Sequence, residues 1–102
     1  MPKGYWIVQV DVHDIDSYRN IYVAQNGAIF KKYGAKFLTR GGAFEPKEGG
    51  GHRSRNVVIE FPDYATALAC YESPEYQTLV ALRSAFGEAD LVVVEGYDGP
   101  QP

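Results

Sequence analysis

The 102-residue chain holds one cysteine, one methionine, one tryptophan and two histidines. A single cysteine, Cys70, excludes an internal disulfide and a cysteine-based zinc knuckle. It lies in the apolar stretch Ala67-Leu68-Ala69-Cys70-Tyr71, where it reads as a small buried hydrophobe and not as a nucleophile. Two histidines, His13 and His52, are too few for a zinc site made by one chain, and no H-E-x-x-H occurs, so no metal is expected. No apolar run approaches the about 18 residues of a membrane span, so no membrane partner is expected. The start, Met1-Pro2-Lys3-Gly4, lacks the apolar region of a secretory leader, which makes the cytoplasm the expected location. A basic excess is missing too. Net charge is -3, and the densest basic group is only His52-Arg53-Ser54-Arg55. A nucleic-acid partner, which needs a concentrated basic patch, is therefore not expected.

Standard catalytic motifs are also missing. The glycines at 41, 42, 49, 50 and 51 match neither a P-loop nor a dinucleotide fingerprint, and they precede a strand where those motifs need a helix. The four serines have no nucleophile-elbow context, and Ser17 and Ser73 read as helix-start residues.

What remains is a regular alternation of strands and helices. Tyr5 to Val12 reads as a strand, with Trp6, Val8, Val10 and Val12 on one face and Tyr5, Ile7, Gln9 and Asp11 on the other. A helix follows, capped by Asp14, with Tyr18, Ile21, Tyr22, Gln25, Ala28, Ile29 and Lys32 at spacings of three and four, and ending at Gly34. Ala35 to Arg40 reads as a second strand, 41–54 as a glycine-rich loop, and Arg55 to Phe61 as a third strand. Pro62-Asp63 opens a helix to about Glu72, and Ser73-Pro74-Glu75 opens another that stops at Gly87. Asp90 to Tyr97 reads as the last strand.

This order, β-α-β-β-α-β, predicts a ferredoxin-like α+β domain with an antiparallel sheet in the order 4-1-3-2 and the helices on one face. One domain spans 1–102, with a core over 3–97 and a short tail over 98–102. The helix-covered face is expected to take Trp6, Val8, Val10, Val57, Ile59, Phe61, Val92 and Val94. The other face is expected to carry Tyr5, Ile7, Val58, Leu91, Val93 and Tyr97 among Gln9, Asp11, Asn56, Glu60 and Glu95. That mixture is too apolar for open water, so two sheets are expected to pack face to face in a homodimer, a dimeric α+β barrel.

The inward polar groups sort into two ends. Asp11, Asn56 and Arg40 are expected together where the glycine loop emerges, and Tyr5, Glu60, Glu95 and Tyr97 at the far end with no cation beside them. Arg40 is the leading candidate to hold a ligand carboxylate, against a structural ion pair with Asp11 or Glu48. His52, Arg53 and Arg55 are candidates for a lid, against a solvated turn. Tyr18, Tyr22, Tyr71 and Tyr76 read as core residues whose hydroxyls edge a pocket, and Arg83 reads as a surface or capping charge. The candidate ligand-binding set is thus Asp11, Tyr18, Arg40, His52, Arg55, Asn56 and Glu60.

An ordered set of short signatures runs along the chain: Lys3-Gly4-Tyr5-Trp6, Tyr18 with Tyr22, Arg40-Gly41-Gly42, Glu48-Gly49, Arg55-Asn56-Val57-Val58-Ile59-Glu60-Phe61, Tyr71-x-Ser73-Pro74-Glu75-Tyr76, Leu82-Arg83 and Glu95-Gly96. Together they resemble the family called domain of unknown function 1330, from Lys3 to Gly96. Cys70 departs from it, since the resemblance leads one to expect tryptophan before Tyr71, and Gly49-Gly50-Gly51-His52 looks longer than usual. The resemblance implies the dimeric α+β barrel superfamily, whose members include cofactor-free monooxygenases, haem-degrading enzymes, muconolactone isomerases and small-ligand binders. Membership of a shared fold transfers none of these activities. Three readings stay open: a domain that binds or transforms a small acidic or aromatic molecule with no tightly bound cofactor, a non-catalytic structural or stress-associated dimer, and a haem-handling monooxygenase with His13 or His52 as axial ligand.

Overall fold

The computed structural model describes residues 2–50 and 52–102, so Met1 and the Gly51 of the glycine loop lie outside the described residues. The elements are β1 (Gly4–Val12), α1 (Ile15–Ser17), a π-helical segment (Tyr18–Val23), α2 (Ala24–Lys32), β2 (Lys36–Arg40), β3 (Arg55–Phe61), α3 (Tyr64–Glu72), α4 (Pro74–Arg83) and β4 (Gly87–Glu95). The sheet runs β2-β3-β1-β4, with antiparallel pairing throughout, which is the expected order. It is an open four-stranded sheet with the helices packed on one face.

The helix starts follow their capping residues. Asp14 accepts from the Ser17 N–H, Asp63 from the Thr66 N–H and Ser73 Oγ from the Tyr76 N–H. Each satisfies a first-turn donor left free by the helix geometry. At the far end of α2, Gly34 takes a φ of 67°, the left-handed conformation that closes a helix without a Cβ clash.

Trp6 anchors the core. Its ring is fully buried against Phe30, Phe61, Tyr71 and Tyr76, and its Nε1–H donates to the Ala67 carbonyl at 2.9 Å. One side chain of β1 thereby holds helices from both crossovers. Burial of such a ring contributes several times the value of a single hydrogen bond.

The first helix differs from a plain α-helix. Tyr18, Tyr22, Asn26 and Phe30 are buried, every fourth residue, while Ala28, expected on the core-facing stripe, is exposed. At 3.6 residues per turn, each four-residue step overshoots one turn by about 40°. The wider i→i+5 turn over Tyr18–Val23 offsets that drift and keeps the four side chains aimed at the sheet.

Two further expectations are corrected. On β4 the faces are reversed. Leu91 and Val93 lie opposite Val8 and Trp6 and pack on the core, while Val92 and Val94 face out and are 59% and 42% exposed. Leu91-Val92-Val93-Val94 is apolar throughout, so its alternation holds no signal of which side is in. Glu95 lies opposite Gly4, next to Tyr5, and so falls on the other face from Glu60, which lies opposite Tyr5. α4 also ends at Arg83, ahead of the expected Gly87, and β4 begins at Gly87, ahead of the expected Asp90.

Candidate functional site

Between the sheet and the first helix lies a small cavity of about 30 Å³. Trp6, Val8, Val10, Val57 and Ile59 form its sheet wall, and Tyr18, Tyr22, Asn26 and Phe30 its helix wall. Tyr76 contributes from α4, Phe37 and Arg40 from β2, and Arg55 from β3. A volume of this size holds a water or two and no more. Outside it opens a groove of about 360 Å³ lined by Ile15, Tyr18, Arg19, Val23, Arg40 and Arg55. The two spaces share Tyr18, Val23, Arg40 and Arg55, so the groove is the vestibule of the cavity.

Arg40 reaches this site through a backbone irregularity. β2 pairs with β3 at Phe37↔Ile59 and then at Thr39↔Val58, so one residue of β2 has no partner. Such a bulge changes which side later side chains point to. Arg40 therefore sits opposite Val57, on the helix side, with its guanidinium 4.0 Å from the centre of the Phe37 ring. Of the expected cluster of Arg40 with Asp11 and Asn56, Arg40 and Asn56 line one groove with Leu38, Thr39 and Phe44, and Asp11 is held apart by Arg53 and Ser54.

Arg55 lies opposite Val10 and points to the same side, where its guanidinium lies 6.0 Å from the Tyr18 ring. It is a wall of the cavity and not part of a lid. Its Nε and the Oδ1 of Asn26 are buried polar atoms with no hydrogen-bond partner among the described residues. Each such atom costs about 1–3 kcal/mol unless something else bonds it, and both belong to residues that line this one cavity.

Deeper in, three polar groups touch. The Tyr22 and Tyr76 hydroxyls are 2.6 Å apart, and Arg83 Nη1 donates to the Tyr76 hydroxyl at 3.3 Å. Arg83 is only 7% exposed, so the expected surface or capping charge is a buried one. Burial pushes the phenols of Tyr18 and Tyr76 above their ordinary value, which keeps them neutral.

The remaining candidates lie elsewhere. Asp11 accepts from the Ser54 N–H at 2.9 Å and from Arg53 at 3.0 Å, and Arg53 also bonds Asp90 and Glu88. This network pins the end of the 41–54 loop to β1 and β4. It makes Arg53 a structural tie, where the alternatives were a lid and a solvated turn. Asn56 lines a separate groove with Phe44 and His52, and the His52 ring bonds the carbonyls of Glu48 and Gly49. Glu60 bonds the Tyr5 hydroxyl and pairs with Lys36 at 3.4 Å, so the far end of the open face does hold a cation. Neither His13 nor His52 lines the cavity or its vestibule. Among the described residues, no group of three metal-ligating side chains comes together.

Of the seven sequence candidates, the structure brings together Tyr18, Arg40 and Arg55. Sequence reasoning passed over Asn26 and took Arg83 for a surface or capping charge. The signal for Asn26 was its place in the four-residue series 18, 22, 26, 30. That for Arg83 was its distance of two helical turns from Tyr76.

The family model for the domain of unknown function DUF1330 matches residues 3–97, and the chain belongs to that family. Comparison with curated proteins finds no match. Among solved structures, the RPA0582 protein of unknown function from Rhodopseudomonas palustris is similar at 19% identity, with a TM-score of 0.73 over 96% of this chain and 85% of that one. SnoaB, a cofactor-independent oxygenase from Streptomyces nogalater, is similar at 11% identity, with a TM-score of 0.63 over 100% of this chain and 97% of that one. A dimeric ferredoxin-like protein of unknown function from Thermobifida fusca is similar at 15% identity, with a TM-score of 0.50 over 92% and 91%. At these identities the likeness is one of fold. Among the described residues, no helix is long and apolar enough to cross a membrane.

Proposed function

We propose that this chain is a small-molecule-binding domain of a homodimer, and that each subunit takes a compact acidic or aromatic molecule at its own cavity and vestibule, with no tightly bound cofactor. The carrying observation is the mouth. Arg19, Arg40 and Arg55 line one groove, and none of them has a carboxylate within ion-pair distance among the described residues. In a chain of net charge -3, three unpaired guanidiniums at one opening concentrate positive potential where a carboxylate would enter. Their planar forks suit a carboxylate held by two parallel bonds. The apolar side of the vestibule, Ile15 and Val23, with the Tyr18 ring, suits the body of such a molecule.

A second reading rests on the cavity's small volume: a non-catalytic dimer whose interior is simply filled. Calorimetric titration separates the two. Benzoate and salicylate are expected to bind, and their neutral amides not. Arg40→Ala is expected to weaken binding about tenfold to a hundredfold, the worth of one charge-assisted contact. No binding by either would favour the filled interior, and equal binding of acids and amides would remove the arginine mouth as the basis of recognition.

A further inference from the structure

The floor of the cavity carries a directed chain of donors. Arg83 has no carboxylate within ion-pair distance among the described residues, and its Nη1–H bonds the Tyr76 oxygen. A hydroxyl that accepts from a cation becomes a stronger donor. Either hydroxyl can donate across the 2.6 Å between Tyr76 and Tyr22, and the Arg83 charge on the Tyr76 oxygen favours Tyr76 as the donor. The Tyr22 hydrogen is then left over. No other acceptor bonds the Tyr22 hydroxyl among the described residues, and Tyr22 lines the cavity. The Arg83 guanidinium also lies 5.5 Å from the Tyr22 ring, which brings its charge close to the same oxygen. The same cavity is lined by Asn26, a residue only 4% exposed, and by Arg55, and Oδ1 of the first and Nε of the second are the two unpartnered buried atoms.

Resting on the acid-binding reading above, we propose that the Arg83–Tyr76–Tyr22 chain forms an oxyanion subsite, and that the ligand class is a carboxylic acid bearing an ionisable hydroxyl, a phenol or an enol. The carboxylate stays at the arginine mouth, the body lies in the vestibule, and the hydroxyl oxygen enters the small cavity. Two donors, Tyr22 O–H and Arg55 Nε–H, serve the oxygen once it is an anion. While the ligand hydroxyl is still protonated, Asn26 Oδ1 accepts its hydrogen. On ionisation that proton leaves to solvent and Tyr22 keeps its own. The chain polarises but does not transfer, so Tyr76 and Arg83 are positioning residues. The buried, uncompensated charge of Arg83, costly in a purely structural core, is accounted for by this role.

The test uses 4-hydroxy-3-nitrobenzoate, whose phenolate absorbs visible light. The pH titration of the bound probe gives its hydroxyl pKa directly. The full chain is expected to lower that pKa by about one unit or more relative to free probe, a tenfold shift in ionisation. Tyr22→Phe and Tyr76→Phe each remove one oxygen and keep the ring. Both are expected to abolish most of the shift while the probe still binds through its carboxylate. A shift that survives both substitutions would assign it to the arginines and overturn the subsite. Absence of any shift in the unmodified chain would overturn it without recourse to variants. A probe that fails to bind, or binds Arg40→Ala equally well, overturns the acid-binding reading and the subsite with it. Tight binding with an unmoved pKa overturns the subsite alone.

Discussion

Gly41 lies against the Arg55 guanidinium so closely that a Cβ at position 41 would overlap it, and its φ of 69° is left-handed. The two residues are joined through the strand pair as well, since the Gly41 N–H donates to the carbonyl of Asn56 at 2.9 Å. The glycine that follows β2 is thereby a support of the cavity wall. Any side chain here must either bend the backbone or push Arg55 off its position beside Tyr18.

Gly41→Ala is therefore expected to cost about 1–2 kcal/mol of stability, the cost of a left-handed alanine plus the displaced side chain. It is also expected to weaken acid binding, although position 41 does not line the cavity. Thermal melts with and without benzoate measure both. Unchanged affinity in a destabilised Gly41→Ala would show that Arg55 does not contribute to the site.

The Asp11 network predicts a pH-dependent loop. The Ser54 backbone N–H, and after it Arg53, hold the Asp11 carboxyl below its usual range. A depressed carboxyl stabilises the folded form above its ordinary value near pH 4. That contribution fades as the pH falls through the lower, folded value. Protection of the 41–54 loop from exchange, taken relative to the intrinsic rate at each pH, is expected to be higher at pH 6 and to fall below about pH 4. Asp11→Ala is expected to show the lower protection already at pH 6. A loop equally protected in both proteins would remove Asp11 as its anchor.

Cys70 is fully buried, and burial pushes its thiol pKa up to about 12. In the native protein a thiol reagent at pH 8 is expected to react only as fast as the chain opens, so Cys70 serves as an unfolding reporter. Rapid native labelling would contradict the packing. Family resemblance led to the expectation of tryptophan at this position, but Cys70 is fully buried in the core and a far larger side chain would have to displace its neighbours. Cys70→Trp is expected to lose about 1–3 kcal/mol by overpacking, read as a lower denaturation midpoint.

The element order, the sheet order and the helix caps were legible because each rests on local chemistry: an Asp or Ser before a helix, a glycine after it, a period of two in β1 and β3. The site was legible only in part, and for identifiable reasons. Tyr18 and Arg55 follow from simple periodicity. Arg40 needed the β2 bulge, a one-residue slip that carries no composition signal and reverses its face. Asn26 needed the π turn, which changes the helical period in the middle of a helix. β4 offered four consecutive apolar residues, and only pairing with β1 decides which two are buried.

That pairing leaves Ile7, Val92 and Val94 exposed together on the open face, Ile7 opposite Val92 across β1 and β4. A contiguous apolar area of this kind on a sheet is what a second sheet covers. The homodimer reading therefore predicts that Val92→Asp yields a monomer by light scattering, while leaving the monomer's own fold largely intact. The second condition follows from the 59% exposure of Val92, which leaves little intramolecular packing to lose. Far-ultraviolet dichroism checks the fold in the same sample. If Val92→Asp and the unmodified chain have the same mass, the two copies do not meet through this face. Acid binding gives an independent outcome. The cavity and vestibule are built within one subunit, on the opposite side of the sheet, so the Val92→Asp monomer is expected to keep its affinity for benzoate. Loss of binding on dissociation would show that the partner completes the site.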